Sequence, residues 1–498
     1  MGPVASGLLV LVVGGYVTAD AHDLVPGILT LERTPPTAGI STTATATQRP
    51  QGSSSSSVRV RVPVPQPGTA VVAPLLVATS AAPLPTRAGL SAALAVALTD
   101  PGLGSSVGLT VRDAGTGAHL LDISAQTPRI PASTAKLLSA TAIMSTLDPA
   151  RTFSTRVVRG AGQAGQAGQV TEVILVAGGD TLLSPGEGDP AAVAGRAGLA
   201  DLARQTAKAL KGSKGNKGKD PTRVRVRIDD RYASGNRYAP GWFPADIAAG
   251  LTGPVAMLGL STQRPGHGRA GSTDPALSTA RAFARALSAH GIIVGPAIDR
   301  TGSPEGAAEL GAVRSAPAAD LVALALDSSD NALTESLARQ AAVQAGRPTS
   351  FAAVSAWVKE TVASKGVAVD GITLIDTSGL SAGTLMPVSA LGDVLTLAAS
   401  GQEPALQDVV ARLPVAGLTG TLAERFGKAS GHSDAGIARA KTGTLTGVAS
   451  LAGTVVDRDG RLLTFAILAD KVSPGVGTLT ARAALDRFVA TLAACGCG

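Results

Sequence analysis

Pro131-Ala132-Ser133-Thr134-Ala135-Lys136 ends an extended segment at a proline and opens a strongly apolar helical pattern, with Leu137, Ala140, Met144 and Leu147 at helical spacing. On a helix a residue and the third one after it are neighbours, so the Ser133 hydroxyl and the Lys136 amine share a face. That pair suits nucleophilic catalysis, because a serine hydroxyl is a weak nucleophile until an adjacent group takes its proton. The lysine must first lose its own proton, which burial or a second nearby cation favours by penalising the charged form. Serine is also a preferred helix N-cap, and for this string taken alone that explanation suffices.

Working outward, the 498 residues imply two or three domains and a sizeable core. Aromatics are only 2%, so that core must pack through Val, Leu, Ile and Ala. The net charge of +7 is scattered except at Lys208, Lys211, Lys214, Lys217 and Lys219, a Gly-interrupted run that reads as a solvated loop. No interleaving of basic and aromatic residues points to nucleic acid. Cys495 and Cys497 are the only cysteines and read as a tail feature, so no disulfide framework is expected. The five histidines lack metal-ligand spacing, and neither a metal nor a cofactor is expected.

The chain divides by composition. Residues 1–19 are dominated by an apolar stretch from Pro3 to Ala19, at the lower limit for a membrane span, and are expected to be an anchor or a cleaved signal. Residues 20–88 are rich in Ser, Thr, Pro and Gln, with a five-serine run from Ser53, and are expected to be a linker. Globular sequence begins near Gly89: an apolar helix, then a hairpin from Val107–Val111 and His119–Ile123 about the Gly115-Thr116-Gly117 turn, then the Ser133 segment. Residues 152–319 read as an inserted, mainly β region with flexible Gln-Ala-Gly punctuation after Gln163. Residues 320–498 return to the first domain, with strands near Ala438–Thr442, Gly447–Val456 and Leu462–Leu468 and a final helix carrying Leu485, Phe488, Val489 and Leu492. Helices flanking an antiparallel sheet give a mixed α/β (α+β) fold class.

Two further strings complete a set with the first. Ser329-Asp330-Asn331 opens a helix, and Lys441-Thr442-Gly443-Thr444 lies on a strand. Each is common by chance, but their order and their placement match the catalytic set of penicillin-binding proteins and serine β-lactamases. Within that superfamily the chain resembles the peptidase S13 group, the D-alanyl-D-alanine carboxypeptidase/endopeptidases of the penicillin-binding protein 4 type. The resemblance also rests on Ala177-Gly178-Gly179-Asp180-Thr181, Asp229-Asp230, Pro240-Gly241-Trp242, Asp376-Thr377-Ser378-Gly379-Leu380 and Leu413-Pro414-Val415-Ala416-Gly417. About 200 residues separate Ser133 from Ser329, an interval in which that group carries inserted domains.

The resemblance implies a transpeptidase-like fold, with 89–151 and 320–498 as its two parts, and an enzyme without metal or cofactor. Ser133 is then the acylated nucleophile, Lys136 its base, Ser329 a proton relay to the leaving amine, and Asn331 a holder of Lys136 and of the substrate backbone. Lys441, Thr442, Gly443 and Thr444 form the substrate-binding strand: Lys441 supplies positive charge that both attracts a carboxylate and disfavours protonation of Lys136, the threonines take the terminal carboxylate, and backbone N–H groups of Ser133 and Thr444 form the oxyanion hole. The implied function is that of a serine DD-carboxypeptidase acting on peptidoglycan stem peptides outside the cytoplasmic membrane, with DD-endopeptidase activity left open and β-lactams as covalent inhibitors. Two rivals stay open: a β-lactamase, for which no matching Glu-x-x-x-Asn string is found between Ser133 and Ser329, and a catalytically idle cell-wall-binding protein of the same fold. The strings Ser378-Gly379-Leu380 and Pro414–Gly417 read as structural.

Overall fold

The computed structural model of the chain describes residues 82–161, 170–212, 222–266, 268–427 and 434–498. The apolar segment at 1–19, the linker up to residue 81, the Gln-Ala-Gly repeat and Lys214, Lys217 and Lys219 lie outside those residues. The first helix, α1 (Arg87–Leu98), buries Leu90, Leu94 and Ala97 on one stripe, and the Thr86 hydroxyl caps it by accepting from the Gly89 N–H. The expected hairpin follows as β1 (Val107–Asp113) and β2 (His119–Ile123).

The helix read as starting at Ser133 starts later. Ala132–Ala135 is a 3-10 turn and α2 runs over Lys136–Met144. No side-chain cap bond is made at either start, so the N-cap explanation of Ser133 falls away. Every residue of α2 is buried, which explains its apolar run.

The interval after α2 holds β3 (Ser154–Arg159), β4 (Thr171–Val176), α3 (Leu199–Lys211), β5 (Arg223–Asp229), α4 (Pro275–Ala289), β6 (Ile293–Val294), β7 (Asp299–Arg300) and β8 (Glu309–Arg314). These strands form a second sheet in the order β6-β5-β4-β3-β8, with β7 also on β5. The β4–β5 and β5–β6 pairs are parallel, and α3 and α4 make the crossovers that parallel neighbours require. On β5 the alternation predicted from sequence holds: Val224, Val226 and Ile228 face a core with Leu199, Leu202 and Phe283, while Arg223 and Arg225 are exposed.

The chain then returns as α5 (Ala318–Asp327), α6 (Asn331–Gln344), α7 (Phe351–Ser364), α8 (Val388–Ala399) and α9 (Pro404–Ala411). It closes with β9 (Ala438–Leu445), β10 (Val448–Val456), β11 (Leu462–Ala469) and α10 (Gly477–Ala493). The first sheet runs β2-β1-β11-β10-β9 and is antiparallel throughout, so early and late parts of the chain share it through β1 and β11. Leu109, Val111, Leu451 and Phe465 pack on one face against Leu90, Leu94, Leu485 and Phe488 of α1 and α10. On the opposite face Ala452, Ala466 and Leu468 meet the helical layer that contains α2, α6 and α8. Phe465 and Phe488 stack edge to face at 6.2 Å, a specific contact in a core with few aromatics.

The inserted interval touches the helical layer at the start of α7. Trp242 packs edge-on against Phe351 of α7 and donates its indole N–H to Asp376. Cys495 and Cys497 are joined to each other in the tail, and the Cys497 carbonyl accepts from the Thr86 N–H, tying the chain's end to the start of α1. No helix among the described residues is long and apolar enough to cross a membrane.

Candidate active site

The Ser133 turn is wedged between a loop and a strand. The Pro131 carbonyl accepts from the hydroxyls of Thr134 and Ser450, each at 2.7 Å, which fixes the turn from inside and from β10. Ala132 carries a φ of +49°, a strained value for a residue with a side chain. Two glycines let their backbones close over it. A Cβ on Gly379, itself at φ +78°, would lie 2.0 Å from the Ala132 carbonyl oxygen. A Cβ on Gly443 would lie 2.1 Å from Ser450 Oγ and 2.7 Å from the Pro131 carbonyl oxygen.

Lys136 is wholly buried, and its Nζ has three partners: Ser133 Oγ at 2.9 Å, Asn331 Oδ1 at 2.5 Å and the Ser378 carbonyl at 2.8 Å. Asn331 is oriented by its other end, since its Nδ2 donates to the Leu251 carbonyl at 2.7 Å, leaving Oδ1 toward the lysine. Two of the three partners accept only. A neutral amine therefore fills the site completely: it donates two N–H bonds to Asn331 and Ser378, and its lone pair faces the Ser133 hydroxyl proton. Burial lowers the Lys136 pKa to about 8, against the opposing pull of the Asp376, Glu335 and Asp330 carboxylates.

Behind the lysine lies a pair of buried acids. Glu335, one helical turn after Asn331 on α6, accepts the N–H groups of Thr377 at 2.7 Å and Ser378 at 2.8 Å. Burial, aided by the Asp376 charge, pushes its carboxyl up to about 8. Asp376 accepts from the backbone of Ser378, Gly379 and Ser381, from the Ser381 hydroxyl and from Trp242 Nε1. Together the two acids hold the loop whose carbonyl reaches Lys136. The Ser378 loop is thus structural, as its sequence reads, and one of its carbonyls also contacts Lys136. Glu335 carries no motif of its own; its position one turn beyond Asn331 is the signal that could have found it.

Of the other predicted residues, Lys441 is fully buried and donates to the Thr442 carbonyl at 2.9 Å. Its pKa is held well below the ordinary lysine range, first by burial and then by Lys136, while Asp327 opposes. Burial is thus the largest cause that lowers the pKa of both lysines. The Thr442 hydroxyl donates to Thr421 at 2.9 Å, and Thr444 Oγ1 accepts from Arg482 Nε at 3.4 Å. Ser329 lies between α5 and α6 with a φ of +56°, and its hydroxyl makes no hydrogen bond among the described residues. Asp330, between it and Asn331, is the N-cap of α6 through the Leu333 N–H. The structure thus joins Ser133, Lys136 and Asn331 directly, and aligns Lys441, Thr442, Gly443 and Thr444 on β9.

β9 is the last strand of its sheet. Residues 414–416 pair with its start, where the Ala440 N–H donates to Pro414 and the Ala416 N–H to Ala438. Strand alternation carries the same outward direction to the backbone of Thr442 and Thr444, beyond that cover. Pro414–Gly417 is therefore a wall that ends where the motif begins. Among the described residues no group of three His, Cys, Asp or Glu side chains is placed to hold a metal ion.

Comparison with known proteins follows the same outline. Residues 90–265 and 264–492 match the family model described as D-Ala-D-Ala carboxypeptidase 3 (S13). The chain is 37% identical over 424 residues to the carboxypeptidase DacB of Mycolicibacterium smegmatis, covering 84% of this chain and 86% of that one. It is 26% identical over 425 residues to a D-alanyl-D-alanine carboxypeptidase of an Actinomadura species, over 73% of this chain and 78% of that one. The crystal structure of penicillin-binding protein 4 from Haemophilus influenzae shares the fold with a TM-score of 0.64 and 22% identity, over 82% of this chain and 98% of that chain.

Proposed function

The chain belongs to the D-Ala-D-Ala carboxypeptidase 3 (S13) family, and on that premise we propose that Ser133 is the nucleophile, and Lys136 the general base, of a serine DD-carboxypeptidase. The observation that carries this reading is the setting of Lys136, which has three partners among the described residues, of which Ser133 Oγ alone has a transferable proton.

On this reading the reaction runs as follows. Lys136 Nζ takes the Ser133 proton as Oγ attacks the carbonyl carbon of the bond between the last two D-alanines of a peptidoglycan stem peptide. The oxyanion is met by the backbone N–H groups of Ser133 and Thr444, donors that need no reorganisation as charge develops. The proton passes by way of Ser329 to the leaving nitrogen, the C–N bond breaks and free D-alanine departs. Water then attacks the Ser133 ester, Lys136 again serves as base, and the shortened peptide is released. Asn331 holds Lys136 throughout. Thr442 and Thr444 take the terminal carboxylate, Lys441 lies on the same strand beneath them, and Gly443 lets β9 lie against the Ser133 turn.

β-Lactams enter the same route as acylating inhibitors; a solved structure of the Haemophilus influenzae relative holds one. Cutting a cross-link needs only a longer leaving amine in the same step. The substrate lies outside the cytoplasmic membrane, and the apolar segment at 1–19 is the candidate export signal or tether. The assembled Ser133–Lys136–Asn331 contacts favour this reading over an idle wall-binding protein. The test is D-alanine release from a synthetic stem pentapeptide. Release by the parent protein and none by Ser133→Ala is the expected result; equal release by both would refute the assignment.

A further inference from the structure

The last helix brings a cation to the substrate strand that no sequence motif announced. Arg482 sits in the second turn of α10, half-buried, between the buried anchors Ala481 and Leu485. Its guanidinium makes one hydrogen bond among the described residues, from Nε to Thr444 Oγ1 at 3.4 Å. It makes no ion pair among them. The nearest candidate, Asp486 one turn on, is claimed by Arg425 at 2.6 Å, and Arg425 also donates to the Arg482 carbonyl.

A guanidinium has five N–H donors, and a half-buried one without a carboxylate is costly. Burial is the main cause that lowers the Arg482 pKa; the Arg425 charge adds to it and the Asp486 charge opposes it. Arg425 and Asp486 pair with each other, which leaves the Arg482 charge without an ion-pair partner among the described residues. The hydroxyl of Thr444 accepts from Arg482, so its own proton is directed away from the arginine. Arginine N–H and threonine O–H then stand side by side at the open part of β9, an arrangement that suits a planar anion with two oxygens.

We propose that Arg482 is a substrate-binding residue that, with Thr444, receives the C-terminal carboxylate of the stem peptide. This rests on the reading of β9 as the substrate strand. It makes the carboxypeptidase selective for a free chain end, because a neutral end group leaves the half-buried guanidinium of Arg482 without a carboxylate. The carboxylate also supplies the negative charge that this cationic corner lacks.

The test compares two acyl-D-Ala-D-Ala peptides, one ending in a free carboxylate and one in a carboxamide, using the full chain. The ratio of their kcat/KM values is internal to one preparation and independent of its folded fraction. The parent is expected to favour the acid. Arg482→Gln should reduce that preference about 10- to 100-fold, the range of a charge-assisted hydrogen bond, mainly through KM of the acid. Arg482→Lys should restore part of it. An unchanged ratio, or equal losses on both peptides as a mere brace for β9 would give, overturns the role of Arg482. A parent without preference for the acid overturns the carboxylate reading of β9 itself.

Discussion

Lowering the pH should deprive Ser133 of its base, and the structure fixes where. Lys136 has a pKa of about 8 instead of 10.5. At pH 7 that leaves about one tenth of the amine neutral, against roughly 0.03% at the ordinary value, a gain of about 300-fold or about 3 kcal/mol. The second-order rate of acylation by benzylpenicillin should therefore rise about tenfold per pH unit below 8 and level off above it. Stopped-flow quenching of protein fluorescence or timed intact-mass spectra would record it. Glu335, Asp376 and Asp330 are the acids whose charges act on this lysine, Lys441 is the neighbouring cation, and Glu335 titrates near the same pH. Glu335→Gln must therefore keep the rising limb. Lys136→Arg, whose guanidinium stays charged, should abolish acylation across the range. A rate flat from pH 6 to 9, or a limb that vanishes in Glu335→Gln, would refute the assignment of Lys136 as the titrating base.

Linkage gives Glu335 a second readout. Its folded pKa of about 8 lies above the ordinary 4.5, so the folded state binds the proton more tightly and stability from this group falls as pH rises from 4.5 to 8. Melting curves of Glu335→Gln should accordingly decline less over that window than those of the parent. Gly443→Ala drives a Cβ against Ser450 Oγ and the Pro131 carbonyl, which displaces β9 from the Ser133 turn. A misplacement of about 1 Å costs on the order of 100-fold in rate, so acylation should fall by that much while the far-UV spectrum is kept. Phe488→Ala empties a fully buried site beside Phe465 and should cost about 3–5 kcal/mol, read from the denaturant midpoint.

Much of this was legible in the chain because each motif coincides with a local structural need. Pro131 ends the extended segment, Asp330 caps α6, and Gly443 is required where β9 meets the Ser133 turn. Period-two alternation gave β5, and helical spacing gave the buried stripe of α10. What escaped were contacts made across long sequence separations by residues with ordinary neighbours. Glu335 acts through the backbone N–H groups of Thr377 and Ser378, which leave no side-chain pattern. Arg482 reaches Thr444 only because α10 packs against the sheet that ends in β9. Lys441 is the instructive case: the resemblance implies its place beside Lys136, whereas burial, a property of the folded chain, is the largest cause that lowers the pKa of both lysines.

The central claim is that Ser133 forms the acyl-enzyme. Incubation of the full chain with benzylpenicillin, followed by intact-mass measurement and peptide mapping, tests it directly. One penicilloyl group per chain is expected, located on the peptide that contains Ser133 and absent from Ser133→Ala. An adduct on another residue, or one that persists in Ser133→Ala, would contradict it.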